Sequence, residues 1–330
     1  MTSEAWTGRA FRDEVTAWVQ RELAVRGARL TGERMQARVR PWSSTLRFTT
    51  TDGPVWFKVD GPGSAYEPSL VAQLAARVPD LVPEVLAVDP GRGWSLTSDA
   101  GPVLREALPL AGQWAAWTEL LPRYAEAQLL VSADPQALLS SGLPDLTPGA
   151  LPALARDLVE SLARTAVDAG GLAAADVAAL ESWCRRLEDW CARLSSRGVP
   201  DSVQHDDLHS ANVCWGGSAA AARVIDWGDA SWGSPLGTLL VTLNAVADAN
   251  GVTVDSPAVR RLRDAYLEPF TPYADRAALV ELGVLARRAG CVARALSWRR
   301  ALQGEATAAH AEHGFPVRGW LRQALEVERE

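Results

Sequence analysis

Residues 203–229 read Val-Gln-His-Asp-Asp-Leu-His-Ser-Ala-Asn-Val, then a short spacer, then Val-Ile-Asp-Trp-Gly-Asp. Asp207 and Asn212 are five positions apart, and Asp226 follows fourteen positions after Asn212. The largely apolar run 221–225 predicts a strand that ends at Asp226, and a pair of glycines in the spacer predicts the hairpin turn before it. The stretch therefore predicts a polar loop and a hairpin that bring three oxygen-bearing side chains together.

This spacing is the one at which a phosphoryl-transfer site of the kinase type places a base, a metal-binding amide and a metal-binding carboxylate. In such a site Asp207 would orient an acceptor hydroxyl and accept its proton. Asn212 and Asp226 offer oxygen ligands, which Mg²⁺ prefers because it is a hard cation. Asp and Asn are also common in turns, so each residue alone has an ordinary structural explanation and only the joint pattern predicts the chemistry.

Lys58 is the only lysine among 33 basic residues, and all the others are arginine. A coding bias toward arginine explains the others, whereas a kinase site needs a compact ammonium that arginine does not replace. Lys58 lies in an apolar, strand-type run, and Glu67 begins a helical stretch nine residues later. A kinase pairs such a lysine with such a glutamate. The structural alternatives are a solvated strand lysine and an acid that stabilises a helix start.

The sequence resembles the aminoglycoside phosphotransferase family, a branch of the protein-kinase-like fold that phosphorylates small molecules. The family's His-Gly-Asp-Leu-His-x-x-Asn loop corresponds to residues 205–212, and its Ile-Asp-Trp/Phe element corresponds to residues 225–227. Its strand lysine and helix glutamate correspond to Lys58 and Glu67. The resemblance extends over roughly residues 35–300, and the loop and the Ile-Asp element are its specific parts.

The resemblance implies an α+β, bilobal protein-kinase-like fold. A small, β-rich N-terminal lobe (1–98, with an N-terminal helix) is expected, then a hinge (99–102) and a larger, mainly helical C-terminal lobe (103–330). ATP or GTP with Mg²⁺ is expected between the lobes, with Asp99 of the hinge at the nucleotide. The implied reaction transfers the γ-phosphate to a hydroxyl of a small acceptor, for which an aminoglycoside, another antibiotic, an amino sugar or an amino alcohol are the candidates.

The periodicity of apolar residues and the turn signals agree with this organisation. Strands are predicted near residues 36–40, 44–50, 54–60, 84–89 and 93–98. Helices are predicted near residues 9–26, 66–77, 111–131, 150–168, 172–196, 235–249, 256–267, 275–289, 291–303 and 318–329. Segment 132–149, which is rich in proline and glycine, is predicted to be a loop.

Three features depart from the family pattern. Asp206 replaces the usual glycine, which is tolerable where the backbone is right-handed helical or extended. Thr238 stands where many relatives carry an aspartate that braces the catalytic loop, so a less rigid loop is expected. Segment 40–45 has no glycine-rich phosphate loop. Either the small residues Ser43 and Ser44 let the backbone approach the phosphates instead, or the segment is a plain entry to a strand.

Acceptor recognition is less determined by the sequence. Asp229 would either meet an acceptor amine or cap a turn, and Trp232 would either line an acceptor pocket or pack in the core. His209 is predicted to brace the catalytic loop, and His205 to pack beneath it. The remaining residues considered lie on late helices, where a solvated basic face is expected: Arg287, Arg288, Arg294 and Trp298.

Charge and composition limit the partners. Residues 1–102 contain twelve acidic and twelve basic residues, and the remainder contains 28 and 21, so the remainder carries the whole net charge of −7. This negative charge argues against nucleic acid as a partner and would attract a cationic acceptor to residues 103–330. The four cysteines predict no disulfide framework, no apolar run reaches transmembrane length, and a signal peptide is not expected. A cytoplasmic protein that binds no membrane is expected, and the oligomeric state is left open.

Two other functions remain compatible with the motif. A degenerate kinase-like protein would bind nucleotide without transferring phosphate, and the Thr238 departure is its main support. A hydrolase metal site of the His-x3-His type, formed by His205 and His209, would need both histidines on one face of a helix. Here a strand-type run precedes the loop, Asn212 follows it, and the base glutamate of such a site is missing.

Overall fold

The structure, a computed structural model, describes residues 3–305 and 307–327. It confirms the predicted α+β, protein-kinase-like class: a five-stranded antiparallel sheet forms the N-terminal lobe, and helices form most of the remainder. The division at 99–102 stays a prediction. Within the described ranges, no helix has both the length and the apolarity that a membrane span requires.

Alternating apolar side chains build the sheet of the N-terminal lobe. Its strands are β1 (Met35–Val39), β2 (Ser43–Thr50), β3 (Gly53–Asp60), β4 (Val85–Asp89) and β5 (Trp94–Ser98). They lie in the order β1-β2-β3-β5-β4, and every neighbouring pair is antiparallel. Lys58 of β3 pairs with Thr45 of β2 and Ser95 of β5, so the lysine occupies the central strand.

Helix α1 (Arg9–Val25) covers the outer face of this sheet. Its Trp18 makes edge-to-face contacts with Phe57 and Trp94, at ring-centroid distances of 5.8 and 5.5 Å. Because successive side chains of a strand point to opposite faces, burying Phe57 under α1 directs Lys58 to the other face. The core on one side of β3 therefore orients the lysine on the other.

Helix α2 (Glu67–Arg77) connects the lobes. Its buried Leu70, Val71 and Leu74 belong to the apolar core of the C-terminal lobe, not to the core under α1. Each such fully buried aliphatic side chain stabilises the fold by about 1.5–3 kcal/mol. Glu67, at the first turn of α2, is thereby fixed at the junction of the sheet and the helices.

Helices dominate the C-terminal lobe. They are α3 (Leu104–Ala107), α4 (Leu110–Val131), α5 (Pro135–Leu139), α6 (Leu151–Ala163), α7 (Ala174–Ser196), α8 (Thr238–Asn250), α9 (Pro257–Leu267), α10 (Arg276–Ala301), α11 (Thr307–His313) and α12 (Phe315–Val327). Four short strands carry the loops between α7 and α8: β6 (Ser202–Gln204), β7 (Val213–Cys214), β8 (Arg223–Val224) and β9 (Ser231–Gly233). Cys184 and Cys191 are free, buried thiols of α7.

Three predictions about these elements need correction. Segment 132–149 contains helix α5, which Asp134 caps by accepting a hydrogen bond from the backbone N–H of Ala137. The predicted strand 221–225 is reduced to the two residues of β8, because only these two pair with β7. The two helices predicted on either side of Gly290 are one continuous helix, α10, because that glycine gives room for Leu240 of α8 and does not end the helix.

Candidate active site

The loop between β6 and β7 and the end of β8 are held side by side. Strand β6 pairs with β9, and β7 pairs with β8, so both ends of the loop are anchored in small sheets. The backbone N–H of Ile225 donates to the carbonyl of Asn212 at 3.0 Å. Asp226 follows Ile225 directly, and this backbone bond therefore brings the loop asparagine and the hairpin aspartate together, as the sequence predicts.

Asp207 is held through both carboxylate oxygens. Its Oδ1 accepts a hydrogen bond from Arg294 at 3.0 Å, and its Oδ2 accepts one from the amide of Asn212 at 3.3 Å. The Nε2 of His209 lies 3.4 Å from the same Oδ2. Burial alone would raise the pKa of Asp207, but the charge of Arg294 and the contact with His209 outweigh it and lower that pKa well below its ordinary value. Asp207 is therefore an oriented, ionised carboxylate.

Lys58 lies among three carboxylates. Its Nζ is 2.5 Å from Oε2 of Glu67 and 2.7 Å from Oδ1 of Asp226. Asp60, two residues later on the same face of β3, is 3.3 Å away. Burial would lower the pKa of Lys58, but these three charges raise it well above its ordinary value, so the amine is an ammonium. The charge of Lys58 in turn lowers the pKa of Asp226.

Glu67 joins the sheet lobe to the Ile-Asp-Trp segment. Its Oε1 accepts the backbone N–H of Trp227 at 3.0 Å, while its Oε2 binds Lys58. A Cβ on Gly228 would lie 2.9 Å from that Oε2, so a side chain at this position would displace the carboxylate. Glu67 therefore does more than stabilise a helix start, and Gly228 is needed for its close approach.

A cavity of about 590 Å³ opens between the sheet and the loop of residues 205–212, the predicted catalytic loop. The predicted residues Ser43, Lys58, Glu67, Asp99, Asn212 and Asp226 line it. Asp99 accepts the indole N–H of Trp56 at 3.0 Å and the backbone N–H of Gly101 at 2.7 Å, which fixes the start of the predicted hinge. Ser44 is not brought into the cavity, because its hydroxyl bonds to the Arg38 carbonyl on the adjacent strand. Thr45 takes its place.

The oxygen donors of the cavity fit a magnesium ion. The amide N–H₂ group of Asn212 donates to the carbonyl and the carboxylate of Asp207. The amide oxygen of Asn212 is therefore the atom that can coordinate a cation. The carboxylate of Asp226 is 37% exposed toward the same cavity. Among the described residues no three His, Cys, Asp or Glu side chains cluster as a metal site. Two protein ligands suit Mg²⁺, because it commonly completes its shell with water and substrate phosphates.

A model of the phosphotransferase enzyme family (APH) matches residues 40–282. The chain belongs to this family. Its membership confirms the resemblance inferred from the catalytic loop and the Ile-Asp element, and it makes the protein a phosphotransferase. A search among curated protein sequences found no significant match.

Solved structures of APH-type and choline kinases share the fold at low sequence identity. Choline kinase LicA from Streptococcus pneumoniae superposes with a TM-score of 0.60 at 14% identity, covering 95% of this chain and 98% of that one. Macrolide 2′-phosphotransferase MphH from Brachybacterium faecium gives 0.58 at 16% identity, covering 91% and 97%. Spectinomycin phosphotransferase, solved with ADP and spectinomycin, gives 0.52 at 13% identity, covering 95% and 98%. These likenesses show a shared fold.

Asp206, which replaces the usual loop glycine of the APH family, has a strained backbone conformation. Asp206 has a φ of 61°, in the left-handed region, and not the ordinary backbone that the substitution was expected to need. Asp226 has a φ of 65°. A residue other than glycine in this region costs about 1–2 kcal/mol, and such strain concentrates at functional loops. Ser231 donates a hydrogen bond to the Asp206 carboxylate, and burial raises the pKa of Asp206 to about 6.

Asp206→Asn is expected to remove a pH-dependent loss of stability. The pKa of Asp206 is about 6 in the folded protein, above its ordinary value of 3.8, so its contribution to stability is present at low pH and disappears as pH rises through about 6. Between pH 5 and pH 8 the wild type should lose about 1 kcal/mol relative to the variant, since asparagine also tolerates a positive φ. Urea unfolding at both pH values measures this, with the exposed Asp80→Asn as control. A difference independent of pH would contradict the assignment.

Neutral groups brace the catalytic loop in place of the aspartate that many relatives carry. Thr238 donates to Oε1 of Gln204 in β6 at 2.8 Å. One turn further along α8, Thr242 donates to the carbonyl of Leu208, inside the loop, also at 2.8 Å. All four residues are buried, so these bonds are shielded from water. The loop is thus supported despite the Thr238 departure.

The two loop histidines have different structural roles. His205 is fully buried, packs against Trp227 with the rings tilted and their centroids 4.8 Å apart, and donates from Nε2 to the carbonyl of Ile225 at 2.9 Å. His209 accepts the backbone N–H of Ala211 through Nδ1 and presents Nε2 to Asp207. Burial lowers the pKa of His205. His205 therefore packs beneath the loop as predicted, and this arrangement does not form a His-x3-His metal site.

The candidate acceptor residues are distributed differently from the expectation. Trp232 is 3% exposed and packs in the core of the C-terminal lobe. Asp229 binds Arg294 at 2.9 Å. The predicted solvated basic face is wrong for Arg294, which is only 3% exposed and reaches back to the catalytic loop. No local pattern signals this role, because Arg294 follows Asp207 by 87 residues.

Proposed function

We propose that this phosphotransferase transfers the γ-phosphate of ATP or GTP to a hydroxyl group of a small acceptor molecule. The observation that supports this most is that Asn212 and Asp226 line one cleft with the Lys58–Glu67 pair, while Asn212 also bonds to Asp207. Positioning and charge neutralisation are what phosphoryl transfer requires of a protein. The nucleotide would lie in the cavity of about 590 Å³, between lobe 1–98 and lobe 103–330 and against the hinge at 99–102.

Each residue has a definite task in this proposal. Lys58 binds the α- and β-phosphates, and Glu67 holds it in place. Ser43 and Thr45 of β2 let the chain approach the phosphates, and Asp99 fixes the hinge backbone. Asn212 and Asp226 would hold Mg²⁺, which would neutralise charge on the phosphates when bound.

Asp207 acts on the acceptor. The acceptor oxygen attacks the γ-phosphorus, the bond from that phosphorus to the bridging oxygen of the nucleotide diphosphate breaks, and the hydroxyl proton passes to Asp207. His209 and Asn212 keep the carboxylate in the orientation that this transfer needs. A low-pKa carboxylate is a weak base, so its main contribution is to orient the hydroxyl and to accept the proton late.

The acceptor is proposed to approach from a groove of about 660 Å³ between α8, α10 and α12. Trp320 of α12 forms part of its wall, and the guanidinium of Arg294 lies 5.7 Å from the Trp320 ring. Arg294 contacts both Trp320 and Asp207, and this contact is the proposed link between the groove and the base. Solved relatives are named for action on choline, macrolides or spectinomycin, which makes amino alcohols and antibiotics the first acceptors to test.

Binding and turnover test this proposal together. Mg·ATP or Mg·GTP should raise the melting temperature, and EDTA should reduce that shift. Asp226→Asn should lose the metal-dependent part of the shift, whereas the exposed control Asp80→Asn should keep it, because its carboxylate is 78% exposed outside the cleft. A coupled assay for nucleoside diphosphate release, run over choline, ethanolamine, macrolides, spectinomycin and aminoglycosides, should then find an acceptor.

Two outcomes would contradict the proposal. Absence of any nucleotide-induced shift would remove the nucleotide site. A shift without turnover on any acceptor would instead favour the alternative, a degenerate kinase-like protein that binds nucleotide only. The Thr238 departure supports that alternative less than the sequence suggested, since Thr242 braces the loop.

A further inference from the structure

Arg294 lies at the centre of a buried charge network beside the catalytic loop. Its Nη2 donates to Oδ1 of Asp207 at 3.0 Å, and its Nη1 donates to Oδ2 of Asp229 at 2.9 Å. Only 4% of its side chain is exposed, whereas Asp207 and Asp229 are 27% and 25% exposed. The guanidinium is thus the inner member of the network, and the two carboxylates face outward.

The geometry is fixed from several sides. Arg294 belongs to α10, which packs against α7, α8 and α12. Its Nη1 also donates to the hydroxyl of Ser297 one turn later, at 3.3 Å. The planar fork of a guanidinium can serve two carboxylates at once, which an ammonium on a flexible stem cannot do with the same definition. A rigid helix therefore sets the position of the two loop carboxylates.

We propose that Arg294 is a positioning residue for phosphoryl transfer, which holds the Asp207 carboxylate in the orientation that the acceptor hydroxyl meets. This inference rests on the proposed role of Asp207 as the base. Arg294 contacts no reacting atom and acts through Asp207, while Asp229 anchors the other end of the fork. Misplacing a reacting group by about 1 Å can cost 100-fold in rate, so losing this contact should affect turnover more than nucleotide binding.

Arg294→Gln and Arg294→Lys test this role, with Arg299→Gln as the matched control. Arg299 is an exposed residue of the same helix that donates to Ser161 at 3.0 Å, away from the loop. With the best acceptor from the panel, Arg294→Gln should lower kcat about 10- to 100-fold and leave KM for Mg·ATP within about two-fold. Arg294→Lys should recover part of kcat, and Arg299→Gln should match the wild type.

Chemical rescue separates positioning from folding. Adding millimolar guanidinium chloride to Arg294→Ala should raise kcat several-fold, because the free ion can occupy the site between the two carboxylates, and it should not activate the wild type. Wild-type kcat in both Arg294→Gln and Arg294→Lys would overturn the inference. So would a loss confined to KM for the nucleotide.

Failure to fold and failure of the proposed function are recognised separately. Removing one partner from a buried charge network can prevent folding. If Arg294→Gln does not fold, the kcat of Arg294→Lys alone tests the inference, because this variant keeps the buried charge. If Asp207→Asn retains turnover, the proposed base is wrong whatever Arg294 does. If Asp207→Asn is inactive while both Arg294 variants turn over normally, only this inference fails.

Discussion

Asp207→Asn is expected to abolish phosphoryl transfer while leaving nucleotide binding nearly intact. Asparagine keeps the shape of the side chain, but its amide does not take a proton from the acceptor hydroxyl. Loss of a positioned base typically costs about 10²–10⁴-fold in rate. The nucleotide cavity is lined by Lys58, Asn212 and Asp226, whereas Asp207 does not line it and accepts a hydrogen bond from Asn212. Coupled turnover and a thermal-shift titration with Mg·ATP measure the two effects separately.

Asp229→Asn is the matched control for this variant. It removes the other carboxylate that pairs with Arg294 and so changes the buried charge by the same amount. Its kcat should fall less than that of Asp207→Asn, because Asp229 anchors Arg294 and does not receive the proton. Near-normal turnover in Asp207→Asn would contradict the proton-accepting role, and equal losses in the two variants would point to the charge balance alone.

Lys58→Arg is expected to lose most activity although it preserves the charge. The Nζ of Lys58 sits within 3.3 Å of carboxylates from Glu67, Asp226 and Asp60, in a site where only 15% of the lysine side chain is exposed. A planar guanidinium is larger and spreads its charge, so it displaces at least one of these partners. Turnover should fall by roughly 100-fold or more, and the Mg·ATP thermal shift should shrink.

The control for this substitution is an arginine-to-lysine change away from the cleft. Arg29→Lys, at an exposed position, should retain both turnover and the nucleotide-induced shift. If Lys58→Arg turned over within a few-fold of the wild type, the need for a compact ammonium would be disproved. A stable variant with normal nucleotide affinity and low kcat would instead assign Lys58 to the transfer step.

Local patterns predicted the parts of the site that lie close together in the sequence. The spacing of Asp207, Asn212 and Asp226 was sufficient because the loop and the hairpin are joined by a backbone hydrogen bond between Asn212 and Ile225. Lys58 was recognisable from composition, as the one lysine in a chain that otherwise uses arginine. The α+β class followed from strands grouped ahead of helices.

Features that depend on tertiary packing were not predictable in the same way. Arg294 occupies an ordinary helical position, and only the packing of α10 against the loop shows that its guanidinium is buried. The positive φ of Asp206 was not predicted, because an aspartate in a sequence does not by itself indicate a left-handed backbone conformation. Gly290 was mistaken for a helix end, since a glycine that admits Leu240 and a glycine that ends a helix look identical in sequence.

The solitary lysine also determines how this protein can be labelled. Reagents that acylate or methylate lysine find one side-chain amine in the chain, and it lies at the floor of the cleft. Amine-directed tagging of this chain would therefore modify only the α-amine and this one side chain. Because its three carboxylate partners keep this amine an ammonium, it should react more slowly than the α-amine of the chain, and a further slowing by added ligand would measure binding.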